Sequence, residues 1–127
     1  MQDKQIYEYA VIRIVPRVER EEFLNVGIIL YCSKQGFLQA KYQLDKNKLE
    51  VFSNSLEYED LEKYLQTWER ICVGGNSAGT IGILPIASRF RWLTATRSTI
   101  VQTSKVHPGF CTDAQETLNH LYKQLVL

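Results

Sequence analysis

Three segments at the start of the chain carry the hydrophobic patterns of strands. Residues 6–15 mix β-branched and aromatic side chains and stop at Pro16, whose ring removes a backbone donor and fixes φ. Residues 23–32 form a second, almost continuously apolar run. Residues 37–44 alternate, with Leu38, Ala40, Tyr42 and Leu44 on one face and Gln39, Lys41 and Gln43 on the other, the period of two that a strand requires. Gly36 marks the second turn, and the short connections predict an antiparallel three-stranded meander.

Register follows from the same pattern. Ala40, Tyr42 and Leu44 define a core face, and setting Leu30, Ile28 and Val26 opposite them gives the second strand its best apolar face. A slip by one residue would set Asn25 and Gly27 against core positions, which the pattern disfavours. Ala10, Ile12 and Ile14 then lie beside Ile28, Val26 and Leu24, with Arg13 opposite Asn25. The reverse face holds Tyr9, Val11, Arg13, Asn25, Gly27, Ile29, Tyr31, Lys41 and Gln43. That set is too apolar for plain solvent and too polar for a core, so a later segment or a ligand must cover it.

Helical patterns follow. Asn54 and Ser55 with Glu57 signal a helix start, and Leu61, Tyr64, Leu65, Trp68, Ile71 and Cys72 repeat at helical spacing until Gly74-Gly75. A glycine-rich loop spans residues 73–82. Beyond Pro85, Ile86, Phe90 and Leu93 suit a short helix, with a strand as the alternative for residues 86–95. Residues 98–103 read as a fourth strand. Thr112 and Asp113 cap a last helix with the stripe Leu118, Leu121, Tyr122 and Leu125. The prediction is one α+β domain over residues 1–127: an antiparallel sheet of about four strands (the meander plus one later strand) with two main helices packed on one face. Its core would set Ile12, Ile14, Val26, Ile28, Leu30 and Tyr42 against Leu61, Leu65, Trp68, Leu118 and Leu125.

Composition narrows the function classes. With 45% hydrophobic and 23% charged residues, the 127-residue chain can bury a core without metals or disulfides. Fifteen basic residues against fourteen acidic ones lack the excess that non-specific duplex binding requires. Cys32, Cys72 and Cys111 are scattered, and His107 and His120 supply no zinc spacing. Neither a metal site nor a cofactor is therefore expected, and the cysteines read as reduced packing thiols. No apolar run approaches the roughly 18 residues of a membrane span and no signal peptide is seen, so a cytoplasmic location is expected.

Among candidate sites, the stretch Gly74 to Thr80 resembles a phosphate loop in glycine spacing. It places Thr80 where the lysine belongs and follows a helix rather than a strand, so a connecting loop is the better reading. The arginines are the sharper signal, because a planar guanidinium binds phosphate or carboxylate in two-pronged fashion. Arg13 projects from a strand onto the mixed face. Arg17 and Arg20 share a loop with Glu19, Glu21 and Glu22, which offers either a binding loop or a self-neutralising turn. Arg89, Arg91 and Arg97 interleave with Phe90 and Trp92, and Ser98, Thr99 and Gln102 follow. His107, before Pro108-Gly109, is either a turn residue or a general base or phosphate ligand. Arg13 needs an accepting neighbour, so it is expected to approach Arg97, with Asn25 and His107 at the rim. No nucleophile, base and orienting group stand together.

The run of residues 9–20, followed by Glu22-Phe23-Leu24-Asn25-Val26-Gly27, resembles the opening motif of a bacterial family named domain of unknown function 3037. The later run Arg89-Phe90-Arg91-Trp92-Leu93, with Arg97-Ser98-Thr99-Ile100-Val101-Gln102 and Val106-His107, resembles its second motif. Glu21 stands where that family usually has glycine, and Thr96 and Lys105 where it usually has proline. The resemblance covers essentially the whole chain and singles out Arg13, Arg17, Arg20, Asn25, Arg97, Ser98, Gln102 and His107. It implies a protein partner, a HipA-type kinase, rather than a stand-alone catalyst. Together these readings predict a non-catalytic binding or accessory module whose arginine-rich face holds an anionic group of a nucleotide, nucleic acid or partner protein. The alternative is a phosphoester-processing enzyme using His107 with Arg13 and Arg97.

Overall fold

The structure, a computed structural model, describes residues 3–53 and 56–127. The predicted meander forms as β1 (Gln5–Ile14), β2 (Leu24–Cys32) and β3 (Phe37–Tyr42), joined later by β4 (Val101–Thr103) and β5 (His107–Cys111). All pairings are antiparallel, in the order β3-β2-β1-β4. β5 also pairs with β1, so the two late strands share one edge: Ile12–Ile14 meets β4, and Gln5–Tyr9 meets β5. The turn expected at His107-Pro108-Gly109 is instead strand, at a sheet edge where proline is tolerated.

Between β4 and β5 the ladder breaks, and Ser104 bridges the gap. Its backbone N–H donates to Val11 O at 2.8 Å, and its hydroxyl oxygen accepts from Val11 N–H at 2.8 Å. Ser104 is buried, and an unpaired donor there would cost about 1–3 kcal/mol.

Helices α1 (Lys46–Phe52), α2 (Tyr58–Val73), α3 (Gly79–Gly82), α4 (Ile86–Leu93) and α5 (Ala114–Leu125) complete the described residues. The two main helices do not share a face, contrary to expectation. Leu61, Leu65 and Trp68 of α2 pack with Phe90 and Leu93 of α4 against Ala10, Ile12, Ile14, Ile29 and Tyr31. Leu118, Leu121 and Tyr122 of α5 cover the other side, over Val11, Ile28, Leu30 and Cys32. A sheet buried on both faces needs strands with near-continuous apolar runs, and β2 supplies one from Val26 to Cys32. Of the residues expected on the mixed face, α5 covers those of β1 and β3, whereas Ile29 and Tyr31 of β2 lie on the α2 and α4 side. Lys41 Nζ donates to Asn119 Oδ1 at 3.1 Å, and Tyr122 OH to Gln43 Oε1 at 3.2 Å.

Two-sided burial also overturns the expected register between β2 and β3. Ile29 pairs with Ala40 and Gly27 with Tyr42, so Ile28 and Leu30 serve the α5 face. Gly27 permits the close approach: a Cβ there would lie 2.7 Å from Tyr42 Cβ and 2.6 Å from Lys41 O. Between β1 and β2 the pairs Arg13–Asn25 and Ile14–Leu24 are as expected. A bulge after Ile12, which pairs with Gly27, leaves Val26 as the extra residue and shifts the remaining pairs by one.

Local signals account for the helix ends. Asp45 caps the unpredicted α1 by accepting from Asn47 N and Lys48 N at 3.0 and 3.2 Å. The capping residues Asn54 and Ser55 expected for α2 lie outside the described residues. Its far end stops at Gly74, φ 83°. The glycine-rich stretch is a connection, made of a 3-10 turn (Asn76–Ala78) and α3. It is tied down by Arg89, whose Nη1 donates to Ile71 O and Cys72 O, both at 2.8 Å, and whose Nε donates to Leu84 O at 3.0 Å. The segment after Pro85 is helical, as α4. Asp113 caps α5 by accepting from Glu116 N at 3.2 Å. Among the described residues, no helix is long and apolar enough to cross a membrane.

The loop from β1 to β2 contains a single 3-10 turn, Val18–Arg20, that ends at Glu21 with φ 57°. Among the described residues Glu21 is the non-glycine residue with positive φ, a conformation that penalises a Cβ by roughly 1–2 kcal/mol. Glu21→Gly is therefore expected to stabilise the fold by about 0.5–1 kcal/mol, after the entropy that glycine adds to the unfolded chain is deducted. Urea denaturation of the two proteins measures the difference.

Candidate functional site

The eight candidate residues occupy four places. Arg13 is the penultimate residue of β1, opposite Asn25 of β2 on one side and Gln102 of β4 on the other. Its neighbours Ile12 and Ile14 point into the α2 and α4 core, so alternation sends Arg13 to the α5 side. The guanidinium carbon lies 3.9 Å from the ring centroid of Phe23, a cation–π contact. Burial lowers the guanidinium pKa, because desolvation penalises its charged form.

At this corner two buried polar atoms lack partners, Arg13 Nε and Asn25 Oδ1. One is a donor and the other an acceptor, on residues paired across the β1–β2 ladder. Asn25 uses its amide nitrogen at the end of α5, donating to Leu125 O at 3.4 Å. Gln102 is folded back on its own turn, its Nε2 donating to Thr99 O at 2.6 Å. Arg13 thus receives no ion pair from within the described chain, although it is half-buried.

Arg17 and Arg20 lie elsewhere. Both line a groove of about 990 Å³ between the β1–β2 loop and α1. Arg20 pairs with Glu22, Nε to Oε1 at 2.5 Å, as the self-neutralising reading expects, and Arg17 is exposed. Lys48 faces the same groove. Sequence reading missed it because α1, which carries it, is a short helix with a weak apolar pattern. Phe23, expected to open the second strand, instead precedes β2, is 44% exposed and serves as the platform for Arg13.

Arg97 does not approach Arg13. It stacks on Trp92 and Trp68, 4.9 and 5.3 Å from their ring centroids, and its Nη2 donates to Trp92 O. Trp68 belongs to the α2 and α4 core, so the two arginines sit on opposite sides of the sheet. The joint site is thereby ruled out: Arg97 closes the end of α4, where the chain has too few backbone donors for its last carbonyls. Ser98 is exposed beside it. Nearby, Arg91 pairs with Glu8 at 2.7 Å.

His107 is exposed on β5 and packs on Tyr9, ring centroids 5.4 Å apart. Tyr9 precedes Arg13 by four residues, roughly 13 Å along a strand, so His107 is not a rim residue of the Arg13 corner. The three cysteines are free and buried. Burial pushes the Cys72 thiol up to about 12, which suppresses the nucleophilic thiolate. Among the described residues, no three His, Cys, Asp or Glu side chains gather to hold a metal ion.

Comparison with known proteins places the chain. Residues 9–126 match the family described as protein of unknown function (DUF3037), and the chain belongs to that family. No curated protein and no solved structure matches it.

The stacked arrangement of Arg97 predicts a structural phenotype. Arg97→Ala should lower stability by about 1–2 kcal/mol, through loss of cation–π contact and of a charged hydrogen bond, and should alter the intrinsic tryptophan fluorescence of the folded protein. Denaturation followed by fluorescence reads both effects.

Proposed function

We propose that this member of the DUF3037 family is a non-catalytic binding module, and that the Arg13 corner receives an anionic or strongly accepting group from its partner. The observation that carries the reading is Arg13 Nε, a buried donor without an acceptor; the orphaned Asn25 Oδ1 beside it is an acceptor and calls for a donor group from the same partner. A buried donor without an acceptor costs about 1–3 kcal/mol, and a ligand oxygen would relieve that cost. Phe23 holds the guanidinium plane in place, leaving less freedom to lose when a two-pronged contact forms.

A partner protein is the form of anion we favour, over nucleotide or nucleic acid. Phe23 presents an exposed apolar surface beside the charge, the combination that protein interfaces use at their centres. A HipA-type kinase is one such partner, and three unpaired thiols suit a cytoplasmic setting. No observation favours phosphoester chemistry, since His107, Arg13 and Arg97 share no site.

Arg13→Ala and Arg13→Lys test the reading, the second because lysine keeps the charge but loses the planar fork. Both should weaken capture of the partner from native lysate by about ten-fold or more, while changing stability by less than about 1 kcal/mol. Splitting the lysate into nuclease-treated and untreated halves separates a protein partner from nucleic acid. Normal capture by Arg13→Ala would contradict the proposal, as would early melting with capture retained.

A further inference from the structure

The groove between the β1–β2 loop and α1 goes beyond the Arg13 reading, because it rests on different residues. Its walls combine apolar and cationic groups: Pro16 and Leu24 on the loop side, Val51 and Phe52 on α1, with Arg17 and Lys48 among them. Val51 is 89% exposed, a large apolar side chain left in water beside the cavity. Arg20 is occupied by Glu22, whereas Arg17 and Lys48 form no ion pair with a described residue.

We propose that this groove docks a short acidic segment of a partner protein in extended form. One carboxylate of the segment meets Arg17 and Lys48, and a neighbouring apolar side chain covers Leu24, Val51 and Phe52. The volume, about 990 Å³, stands at the upper limit of small-molecule pockets and accommodates several residues of extended chain. A nucleic acid fits the charges poorly. Glu22 and Glu50 line the same walls, and a strand with a phosphate at every step would meet them, whereas a peptide carries its carboxylates singly. Exposed ion pairs contribute little each, so the apolar contact must supply part of the affinity and the complex is weak and salt-sensitive.

The test is an NMR titration of the uniformly nitrogen-15-labelled chain with a random copolymer of glutamate and tyrosine. Poly-glutamate and an oligo-thymidylate serve as comparison probes. The expected result is saturable amide shifts confined to residues 16–24 and 46–53 with the copolymer, weaker ones with poly-glutamate, and none with the oligonucleotide. The double variant Arg17→Glu, Lys48→Glu should bind about ten-fold more weakly or worse, and its spectrum reports whether it folds. Val51→Ser, at an exposed position, should also weaken binding and supplies the result if the double variant misfolds. Arg13→Ala should bind the copolymer as the native chain does, which separates failure here from failure of the Arg13 site. Shifts absent from both segments would overturn the proposal, as would an equal response to oligo-thymidylate, unchanged binding by the charge-reversed or Val51 variants, or loss of binding in Arg13→Ala.

Discussion

Strand β1 is hydrogen-bonded along both edges, and its second half, Ala10–Ile14, is packed on both faces; the rest of the molecule is arranged around meeting those demands. One edge is satisfied by β2 from Glu8 to Ile14. The other is divided between β4 and β5, with Ser104 supplying a hydroxyl where the ladder lapses. The faces are filled by different helices, α2 and α4 on one side and α5 on the other. A strand so enclosed has no place for an unpaired charge, yet it carries Arg13. That conflict, a strong donor held where the fold offers it no acceptor, is the reason to look for a partner at this position. Local rules broken without compensation within the chain point to function.

Element types were largely legible in the sequence because period and turn chemistry are local. The strands of the meander, the stripes of α2 and α5, and the stop at Gly74 follow from neighbours a few residues apart. What escaped was the side each element takes. The continuous apolar run of β2 states that both faces are buried, but the register argument assumed one core, and so set Ile28 rather than Gly27 against Tyr42. The bulge at Val26 hid the error at one end, since Arg13–Asn25 and Ile14–Leu24 pair as they would in the simpler register. Strand β5 was missed because His107-Pro108-Gly109 has turn composition. A proline at an edge costs no ladder bond, so composition and structure disagree there without strain.

The candidate site was legible residue by residue but not as a constellation. Arg13 opposite Asn25 needed only local pairing. The grouping with Arg97 and His107 needed knowledge of which face each late segment reaches, and that depends on packing between elements 80 or more residues apart in the sequence. Arg97 illustrates the ambiguity of an arginine among aromatics: the pattern that can stack on a base here stacks on Trp68 and Trp92 of the same chain. Glu21 shows the converse. Named in the sequence only as a departure from the resembled motif, it falls on the positive-φ residue of the turn.

If the Arg13 Nε–H has no acceptor until a partner supplies one, its own NMR resonance reports that most directly. In the free protein, the Nε–H signal of Arg13 should lack the downfield proton shift of a hydrogen-bonded guanidinium. It should move downfield when the captured partner is added, with the Asn25 side-chain amide shifting in step. A free-protein signal already shifted downfield, or one unmoved by a bound partner, would contradict the account.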